Sequence, residues 1–237
     1  MKARLVRRHT ENISKNIISF WFEPEHPLKH IAGQYIELTL QHHNHDDRGV
    51  RRWFTVSSSP TDSPLMSITT KFSSPGSTFK QSLHSLHINN SVNISEPMGD
   101  FVLPKDNNVP LIFIAGGIGI TPFHSIVQYL YDTKQVRDIT FLYSVNNEHE
   151  MVFQDLFEKY GMSRTIILSQ PTGQWTGQTG QLTGERVLEL TKPTDNHLLY
   201  ISGPEPMVEG LTDSLEKLGI NKAQLIGDFF PGYPKTI

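Results

Sequence analysis

The residues best suited to chemistry form a glycine-rich turn, Ala115-Gly-Gly-Ile-Gly-Ile-Thr-Pro122, between a predicted strand and a predicted helix. Glycines let the backbone come close to a pyrophosphate, and the first turn of a helix offers free N–H groups and a partial positive charge. Proline suits that first turn, although Pro122 stands where the ordinary dinucleotide fingerprint has its third glycine. A turn kept tight for packing alone is the competing explanation. Because both flanking elements are predicted, we favour a phosphate-binding turn.

A second group of reactive or ligand-binding side chains lies in the predicted strand Arg51-Arg-Trp-Phe-Thr-Val56. Side chains alternate along a strand, so Arg52 and Phe54 share one face while Trp53 and Thr55 share the other. A cation, two aromatic rings and a hydroxyl suit a ligand. The pattern alone is nevertheless more typical of an ordinary half-buried strand.

Two more turns precede predicted helices. Ser74-Pro-Gly-Ser-Thr78 is typical of a helix start capped by Ser77 or Thr78, and the same free N–H groups are able to hold a phosphate. Ile201-Ser-Gly-Pro-Glu-Pro-Met207 ends an apolar strand and begins an amphipathic helix. Ligands of open parallel sheets bind outside the carboxyl ends of the strands, so this turn and the glycine-rich turn are expected to line one cleft. In the simpler interpretation both are ordinary strand-to-helix turns.

Other kinds of site are disfavoured. The segment His42-His-Asn-His-Asp-Asp47 is rich in imidazole and carboxylate, but its place between two predicted strands indicates a polar hairpin loop, and we predict no metal site. The Gly-x-Ser-x-Gly elbow of hydrolases is absent. The 237 residues contain no cysteine, which excludes disulfides, thiolate zinc sites, thiol catalysis and an all-cysteine iron–sulfur cluster on this chain.

Charge and hydropathy restrict the partners. Lys and Arg number 21 against 24 Asp and Glu, so the net charge is −3 and neither nucleic acid nor an anionic membrane surface is an expected partner. The basic first residues are not followed by the apolar region of a secretory signal, and the longest apolar run, around residues 111–120, is too short for a membrane span. These features predict a cytoplasmic protein without membrane insertion.

The elements that must position these residues differ between the two halves of the chain. Residues 1–103 consist mainly of short β-branched and aromatic runs, which predict strands at 17–22, 35–40, 53–56 and 66–72, with one helix at 77–86. The sequence therefore predicts an antiparallel β-barrel at residues 1–104.

After the polar, proline-bounded stretch 104–110, apolar strands alternate with amphipathic helices. The strands are predicted at 111–115, 139–145, 165–169 and 198–202, and the helices at 122–130, 151–160, 184–190 and 206–218. This pattern predicts an α/β domain at residues 105–237, in which helices cover both faces of a parallel sheet.

The ordered motifs resemble the ferredoxin reductase superfamily of flavin- and nicotinamide-dependent oxidoreductases over nearly the whole chain. Arg52-Trp-Phe-Thr55 is similar to the family's Arg-x-Tyr/Phe-Ser/Thr flavin signature, and Gly76-Ser-Thr-Phe79 stands where its flavin-pyrophosphate helix begins. The other resemblances follow in family order, at Pro97-Met-Gly-Asp-Phe101, Gly116 to Pro122, Ser202 to Met207 and Asp228-Phe-Phe-Pro-Gly-Tyr233. Each motif is modestly specific, whereas the ordered series is highly specific.

The resemblance implies an FAD site in the first domain, with FAD preferred over FMN. Arg52 would pair with the flavin pyrophosphate, Phe54 would stack on the isoalloxazine, and Thr55 would hydrogen-bond near flavin N5. Thr69 and Lys71 would border the flavin. The other residues assigned to this site are Trp53, Gly76, Ser77, Thr78 and Phe230.

The resemblance also implies a nicotinamide dinucleotide site in the second domain. Gly116, Gly117, Gly119 and Pro122 would hold the phosphates, with Thr121 close to the nicotinamide. The remaining residues assigned to this site are Ser144, Asn146, Gly203, Pro204 and Met207. Hydride would pass from nicotinamide C4 to flavin N5, and electrons would continue to a separate acceptor such as a ferredoxin, a haem or an oxygenase component.

Three departures from the family pattern bear on catalysis. Ser202 stands where the family commonly has cysteine, and Asp228 stands where it has a carboxyl-terminal glutamate; with Thr55, these two are the candidate catalytic residues. Phe79 replaces the serine of the usual Gly-x-x-Ser segment, so Ser77, Thr78 and backbone N–H groups would hold the flavin phosphates. Hydride transfer needs neither Ser202 nor Asp228 as an obligatory acid or base. The alternatives are a flavin-binding electron-transfer or regulatory subunit without turnover, and a ferric or flavin reductase.

The turn after the second strand of the parallel sheet bears on the choice of nucleotide. Ser144-Val-Asn-Asn-Glu-His-Glu150 contains two carboxylates and no Lys or Arg. A 2′-phosphate requires a cation, whereas a ribose 2′-hydroxyl is satisfied by Asn or a carboxylate, so NADH is favoured over NADPH. Arg137 or Arg164 would reverse this preference by reaching the site from another segment.

Overall fold

The computed structural model describes residues 1–12, 14–159 and 161–230. It contains two six-stranded sheets, one in each half of the chain. The predicted architecture, an antiparallel N-terminal sheet followed by a parallel α/β sheet, is confirmed. The boundary at residue 104 stays a prediction.

The first sheet is antiparallel, and its strand order is β4-β3-β6-β1-β2-β5. The two outer strands approach each other where the Ser57 N–H donates to the Ser67 carbonyl oxygen at 2.8 Å, which brings the sheet close to a closed barrel. One helix, α1 (Thr78–Ser85), covers it. The strands are β1 (Lys2–Thr10), β2 (Ile17–Pro24), β3 (Tyr35–Thr39), β4 (Arg51–Thr55), β5 (Met66–Lys71) and β6 (Ser91–Ile94).

Alternating burial explains why these segments form strands around one core. Phe20, Phe22, Ile36 and Leu38 point inward from β2 and β3, and Phe79 of α1 packs on the same cluster. Each such side chain contributes about 1.5–3 kcal/mol when it is fully removed from water. The opposite faces of the strands remain free to carry polar groups.

The second sheet is wholly parallel, with the order β10-β9-β8-β7-β11-β12. Its strands are β7 (Leu111–Gly116), β8 (Ile139–Val145), β9 (Thr165–Leu168), β10 (Gln178–Thr179), β11 (Leu198–Pro204) and β12 (Leu225–Phe230). Its helices are α2 (Thr121–Asp132), α3 (Gln154–Lys159), α4 (Gly184–Thr191) and α5 (Glu205–Lys217).

Helices cover both faces of this sheet, as predicted. Ile126 of α2 and Phe157 of α3 pack in one apolar cluster, whereas Val187 of α4 and Leu211 of α5 pack in another. Parallel strands buried on both faces are continuous apolar runs, and all six residues of β7 are buried. The carboxyl ends of the strands, where ligands bind in such sheets, face the first domain.

Some elements differ from the prediction. Four strands, β1, β6, β10 and β12, were not predicted. The helix predicted at 151–160 begins only at Gln154, because Phe153 has a φ of 58°, a left-handed conformation that a right-handed helix does not contain; Tyr160 lies outside the described residues. Within the ranges that the structure describes, no helix has the length and apolar character to cross a membrane.

Helix α2 joins the two domains through its polar side chains. His124 Nδ1 donates to the Ser57 carbonyl oxygen at 2.6 Å, and Ser125 Oγ donates to the next carbonyl, of Ser58, at 2.7 Å. One and two turns further along, Gln128 and Asp132 bond to Asp62 and Thr61. The segment that follows β4 is therefore fixed to the helix that follows the glycine-rich turn.

Candidate active site

A cleft of about 1870 Å³ lies between the two domains and brings together most of the predicted site residues. Its first wall belongs to the antiparallel sheet and α1, and its second wall to the carboxyl ends of the parallel strands. The predicted residues that line it are Arg52, Trp53, Phe54, Thr55, Thr69, Lys71, Gly76, Ser77, Gly116, Gly117, Ser144, Asn146, Pro204, Met207 and Phe230. The two signatures, although far apart in sequence, therefore face one space.

The other predicted residues do not line the cleft, but they lie next to residues that do. Thr121 and Ser202 are buried, and Thr121 Oγ1 donates to the Ile118 carbonyl oxygen at 3.1 Å. The residues in this set are Thr78, Gly119, Thr121, Pro122, Ser202, Gly203 and Asp228. Their predicted roles at the ligands stay predictions, and several have a structural role that is visible directly.

Arg52 lies beside the start of α1. Its Nη2 atom donates to Asp46 Oδ1 at 2.7 Å, and Nη1 donates to the Gly49 carbonyl oxygen at 3.0 Å. Its Cζ atom lies 5.1 Å from the centre of the Phe79 ring, in the first turn of α1. Asp46, in the loop interpreted as a polar hairpin, thus orients the guanidinium, a contact that the sequence analysis missed.

The start of α1 is capped as the sequence predicted. The Ser77 hydroxyl accepts from the Lys80 N–H at 3.3 Å, so the simple capping explanation holds for this residue. His42 Nε2 lies 3.3 Å from Thr78 Oγ1, which places one imidazole of the His42–Asp47 loop at the same helix end. Among the described residues, no group of three or more acidic or histidine side chains is arranged to hold a metal ion.

Phe54 and Thr55 occupy the wall between Arg52 and the second domain. Phe54 is buried, and its ring lies 6.0 Å from that of Phe79 at an angle of 30°. Thr55 is only 3% exposed, and its Oγ1 atom has no hydrogen-bond partner among the described residues. A buried hydroxyl without a partner is costly, so this atom fits a ligand that forms a hydrogen bond inside the cleft.

The glycine-rich turn and the Ser202–Met207 turn meet because β7 and β11 are neighbours in the sheet. A Cβ atom on Gly116 would lie 2.1 Å from Met207 Sδ, and one on Gly119 would lie 2.2 Å from the Ser202 carbonyl oxygen. Gly117 has a φ of 52°, a left-handed conformation that suits glycine. The packing explanation is thus confirmed by the close approach behind Gly116 and Gly119, whereas phosphate binding stays a prediction, for which Gly116 and Gly117 present their backbone to the cleft.

Replacing Gly119 with alanine is expected to destabilise the second domain by ~1–3 kcal/mol, since the new methyl group meets backbone atoms that cannot rotate away. Chemical denaturation measures this loss. Gly210→Ala is the matched control, because a Cβ at this helical position meets no atom within 4 Å. Equal stability of Gly119→Ala and wild type would contradict the close approach.

Ser202 and Asp228 lie next to each other on β11 and β12, as paired residues of parallel strands. Burial raises the pKa of Asp228 to about 6, and the Ser202 hydroxyl offsets only part of this rise. A carboxyl group with this pKa changes its protonation within the physiological range. Phe230, two residues later, reaches the cleft, whereas residues 231–233 of the terminal motif lie outside the described residues.

The Ser144–Glu150 turn reaches across the cleft to the first domain. Lys71 Nζ lies 2.7 Å from Glu150 Oε1, and Asn146 Nδ2 donates to Glu150 Oε2 at 3.3 Å. The two arginines that would favour a 2′-phosphate lie elsewhere: Arg137 donates to the carbonyl oxygens of Pro104 and Asp106, and Arg164 packs over Phe157. Neither arginine lines the cleft.

His124 makes folding sensitive to pH. Burial lowers the pKa of His124 to about 4, and the hydrogen bond to Ser57 opposes only part of this shift. An unfolded histidine titrates near about pH 6.5, so between about pH 6.5 and pH 4 the unfolded chain binds a proton that the folded protein does not. The free energy of unfolding therefore falls as the pH is lowered, by ~2 kcal/mol between about pH 7 and pH 5 for this residue. Denaturation of wild type and His124→Asn, whose amide retains a donor for Ser57, measures the difference; equal pH dependence would contradict it.

Two family models match the chain in the order of the two sheets. Residues 3–103 match the oxidoreductase FAD-binding domain, and residues 113–213 match the oxidoreductase NAD-binding domain. The chain belongs to the oxidoreductases that combine an FAD-binding and an NAD-binding domain, and its fold is ferredoxin reductase-like. The family resemblance, the oxidoreductase class and the two cofactors expected from the sequence are thereby confirmed.

Relatives of this ferredoxin reductase-like chain include larger proteins. A flavohemoprotein of Oceanobacillus iheyensis is 25% identical over 227 residues, which cover 92% of this chain and 56% of the relative. A glycine betaine monooxygenase reductase subunit of Chromohalobacter salexigens is 24% identical over 229 residues, which cover 93% of this chain and 59% of the relative. The chain thus spans between half and two thirds of the length of these curated relatives.

A solved structure has the same fold. The FAD/NAD-binding domain of a nitric oxide dioxygenase from Vibrio cholerae superposes with a TM-score of 0.80 at 21% identity, covering 97% of this chain and 98% of that one. The cleft also fits the two cofactors chemically. It offers an unpartnered buried hydroxyl at Thr55 and a guanidinium at Arg52 on one wall, and a glycine backbone at Gly116 and Gly117 on the other.

Proposed function

We propose that this chain oxidises NADH with bound FAD and passes the electrons to an external one-electron acceptor. The observation that carries the proposal is that both domains line the same cleft, in which the wall with Thr55 faces the wall with Gly116 and Met207. When bound there, FAD supplies the chemistry: it accepts hydride from a nicotinamide and releases electrons singly. The chain contributes binding and orientation.

The first wall is proposed to hold FAD. Arg52 offers a planar fork of donors to the pyrophosphate, together with the N–H groups at Gly76, Ser77 and Thr78. The flat Phe54 ring offers a stacking surface, and the Thr55 hydroxyl offers a hydrogen bond near flavin N5. Trp53, Thr69, Lys71 and Phe230 border the same space.

The second wall is proposed to hold the dinucleotide. The backbone of Gly116, Gly117 and Gly119 and the start of α2 at Thr121 and Pro122 suit its phosphates. Ser144, Asn146, Gly203, Pro204 and Met207 complete this wall or support it from behind. Ser202 and Asp228 are proposed to position the nicotinamide end, with no proton transfer required of them in the hydride step.

The nucleotide is proposed to be NADH. Glu150 and Asn146 line the cleft beside the end of β8, where a ribose hydroxyl would find acceptors and a 2′-phosphate would meet a carboxylate. Lys71 is already paired with Glu150, so its charge is largely balanced. We expect NADH to reduce the flavin with at least tenfold higher kcat/KM than NADPH, and equal values would contradict the choice of NADH.

The acceptor is proposed to be a separate haem, ferredoxin or oxygenase component. The glycine betaine relative is named as the reductase subunit of a monooxygenase, which supports an electron partner of this kind. We also propose domain limits of 1–104 and 105–237, because the polar stretch at 104–110 separates the two sheets.

Titration of the apoprotein with FAD, followed by NADH without oxygen, tests the proposed function. We expect FAD to bind and its visible absorbance to bleach. A protein that binds no flavin would contradict the proposal outright. If the protein binds FAD but neither NADH nor NADPH bleaches the flavin absorbance, the protein would instead be an electron-transfer or regulatory subunit without turnover.

A further inference from the structure

Buried hydroxyl groups extend from the wall of the cleft across β5 and β2 toward β1, on one face of the first sheet. Thr69 of β5 lines the cleft, and its Oγ1 atom lies 2.7 Å from Ser19 Oγ of β2, its partner across the strands. Both side chains are buried, with 6% and 2% exposure. A hydroxyl donates one hydrogen bond and accepts others, so adjoining hydroxyls pass a proton by reversing the direction of their hydrogen bonds.

The next groups in this direction are titratable. His9 of β1 is paired with Ser19, and Glu11 follows two residues later on the same face. The Glu11 N–H donates to the Ile17 carbonyl oxygen at 2.9 Å, which continues the pairing with β2 and makes the Glu11 carboxyl a diagonal neighbour of the Ser19 hydroxyl on this face. His9 Nε2 lies 4.0 Å from Glu11 Oε2, and the His9 side chain is 66% exposed, so the series ends at solvent.

Glu11 has the environment of a proton carrier. Burial raises its pKa, which Ser19 on β2 and His9 and Arg7 on β1 partly oppose, while the Asp155 carboxylate on α3 adds to the rise. A carboxyl group whose pKa is raised holds a proton at higher pH than an exposed one.

A branch of the same network leads elsewhere. Ser57 Oγ lies 2.8 Å from Thr69 Oγ1 and 2.9 Å from Ser67 Oγ, on the side away from Ser19. Ser67 is as buried as Ser19, at 2% exposure. It therefore provides a matched control for the loss of one buried hydroxyl.

We propose that Thr69, Ser19 and Glu11 form a proton relay between the cleft and solvent. This inference rests on the proposed function, because one NADH and two oxidised one-electron acceptors give NAD⁺, two reduced acceptors and one proton. The electrons leave to the acceptor, a haem or iron–sulfur protein. The proton passes through the Thr69 hydroxyl to Ser19 and then to the Glu11 carboxylate, each hydroxyl giving up one proton as it receives another. Glu11 releases it to solvent beside His9.

The experiment uses the FAD-loaded protein, reduced anaerobically with one equivalent of NADH and then mixed rapidly with ferricyanide in weak buffer containing a pH-indicator dye. In wild type we expect the released proton to appear together with the absorbance of oxidised flavin. Ser19→Ala and Glu11→Gln are expected to slow proton release about tenfold or more, while the preceding reduction by NADH keeps its rate. Ser19→Thr restores the hydroxyl and is expected to restore the rate, and Ser67→Ala is expected to match wild type.

Infrared difference spectra of oxidised and reduced protein give a readout that does not depend on turnover. A carboxyl C=O band that changes with flavin reduction is expected in wild type and is expected to be missing in Glu11→Gln. Folded, FAD-loaded Ser19→Ala and Glu11→Gln proteins that release the proton at the wild-type rate would overturn the relay. If NADH fails to reduce wild type, the proposed function is contradicted instead, and photoreduced protein mixed with ferricyanide then tests the relay by the same dye signal.

Discussion

Replacing Arg52 with alanine is expected to weaken FAD binding by about a hundredfold or more. The guanidinium lies over Phe79 at the start of α1, where free N–H groups and a fixed cation together suit a pyrophosphate. Charge-assisted hydrogen bonds contribute about 1.5–3 kcal/mol each, and the loss of two corresponds to more than a hundredfold in the dissociation constant. Titration of apoprotein with FAD, followed by flavin fluorescence, measures the change.

Arg4→Ala is the matched control for this experiment. It removes the same charge from β1, where the side chain is 49% exposed, pairs with Glu23 and does not line the cleft. Because Arg52 also bonds to Asp46, the stability of both apoproteins is compared by denaturation, which separates a folding defect from a binding defect. Unchanged FAD affinity in a folded Arg52→Ala protein would refute the role of Arg52.

Replacing Thr55 with valine is expected to slow flavin reduction by NADH about tenfold to a hundredfold without destabilising the apoprotein. The Thr55 hydroxyl is buried without a partner, so an isosteric methyl group removes an unsatisfied polar atom and is neutral or stabilising for folding. The same change removes a hydrogen bond proposed to lie near the atom that receives the hydride, where one preorganised donor has a large effect on rate.

Rapid anaerobic mixing with NADH gives the rate, and denaturation of the apoprotein gives the stability. Thr55→Ser, which keeps the hydroxyl, is expected to restore most of the rate. If the flavin of Thr55→Val is reduced as fast as that of wild type, the Thr55 hydroxyl makes no hydrogen bond that speeds hydride transfer. A marked loss of apoprotein stability would show that the hydroxyl has a partner in solution.

Local sequence patterns were enough to predict the strands, turns and helices that line the cleft. The apolar run of β7, the glycines after it and the proline in the first turn of α2 belong to one continuous segment, and each has a local physical reason. The cap at Ser77 is equally local. By contrast, β1 was missed, although Ala3 and Leu5 alternate with charged residues there, because the basic side chains mask a strand only half of which is buried.

Contacts between distant segments required the structure. His124 and Gln128 of α2 resemble the solvated face of an amphipathic helix in the sequence, yet they bond to the segment after β4. In the sequence, Glu150 belonged to a turn whose lack of Lys and Arg argued against a 2′-phosphate. In the structure, Glu150 is also paired with Lys71 of the other domain. No periodicity encodes such pairs, because each depends on how the two sheets face one another.

Anaerobic mixing of the FAD-loaded protein with saturating NADH, either unlabelled or deuterated at C4, tests most directly whether the cleft brings nicotinamide and flavin together for hydride transfer. We predict that the visible flavin absorbance bleaches, and that it bleaches more slowly with the deuterated nucleotide because the C4–hydrogen bond breaks in the observed step. Bound FAD that stays oxidised in the presence of saturating NADH would contradict this prediction.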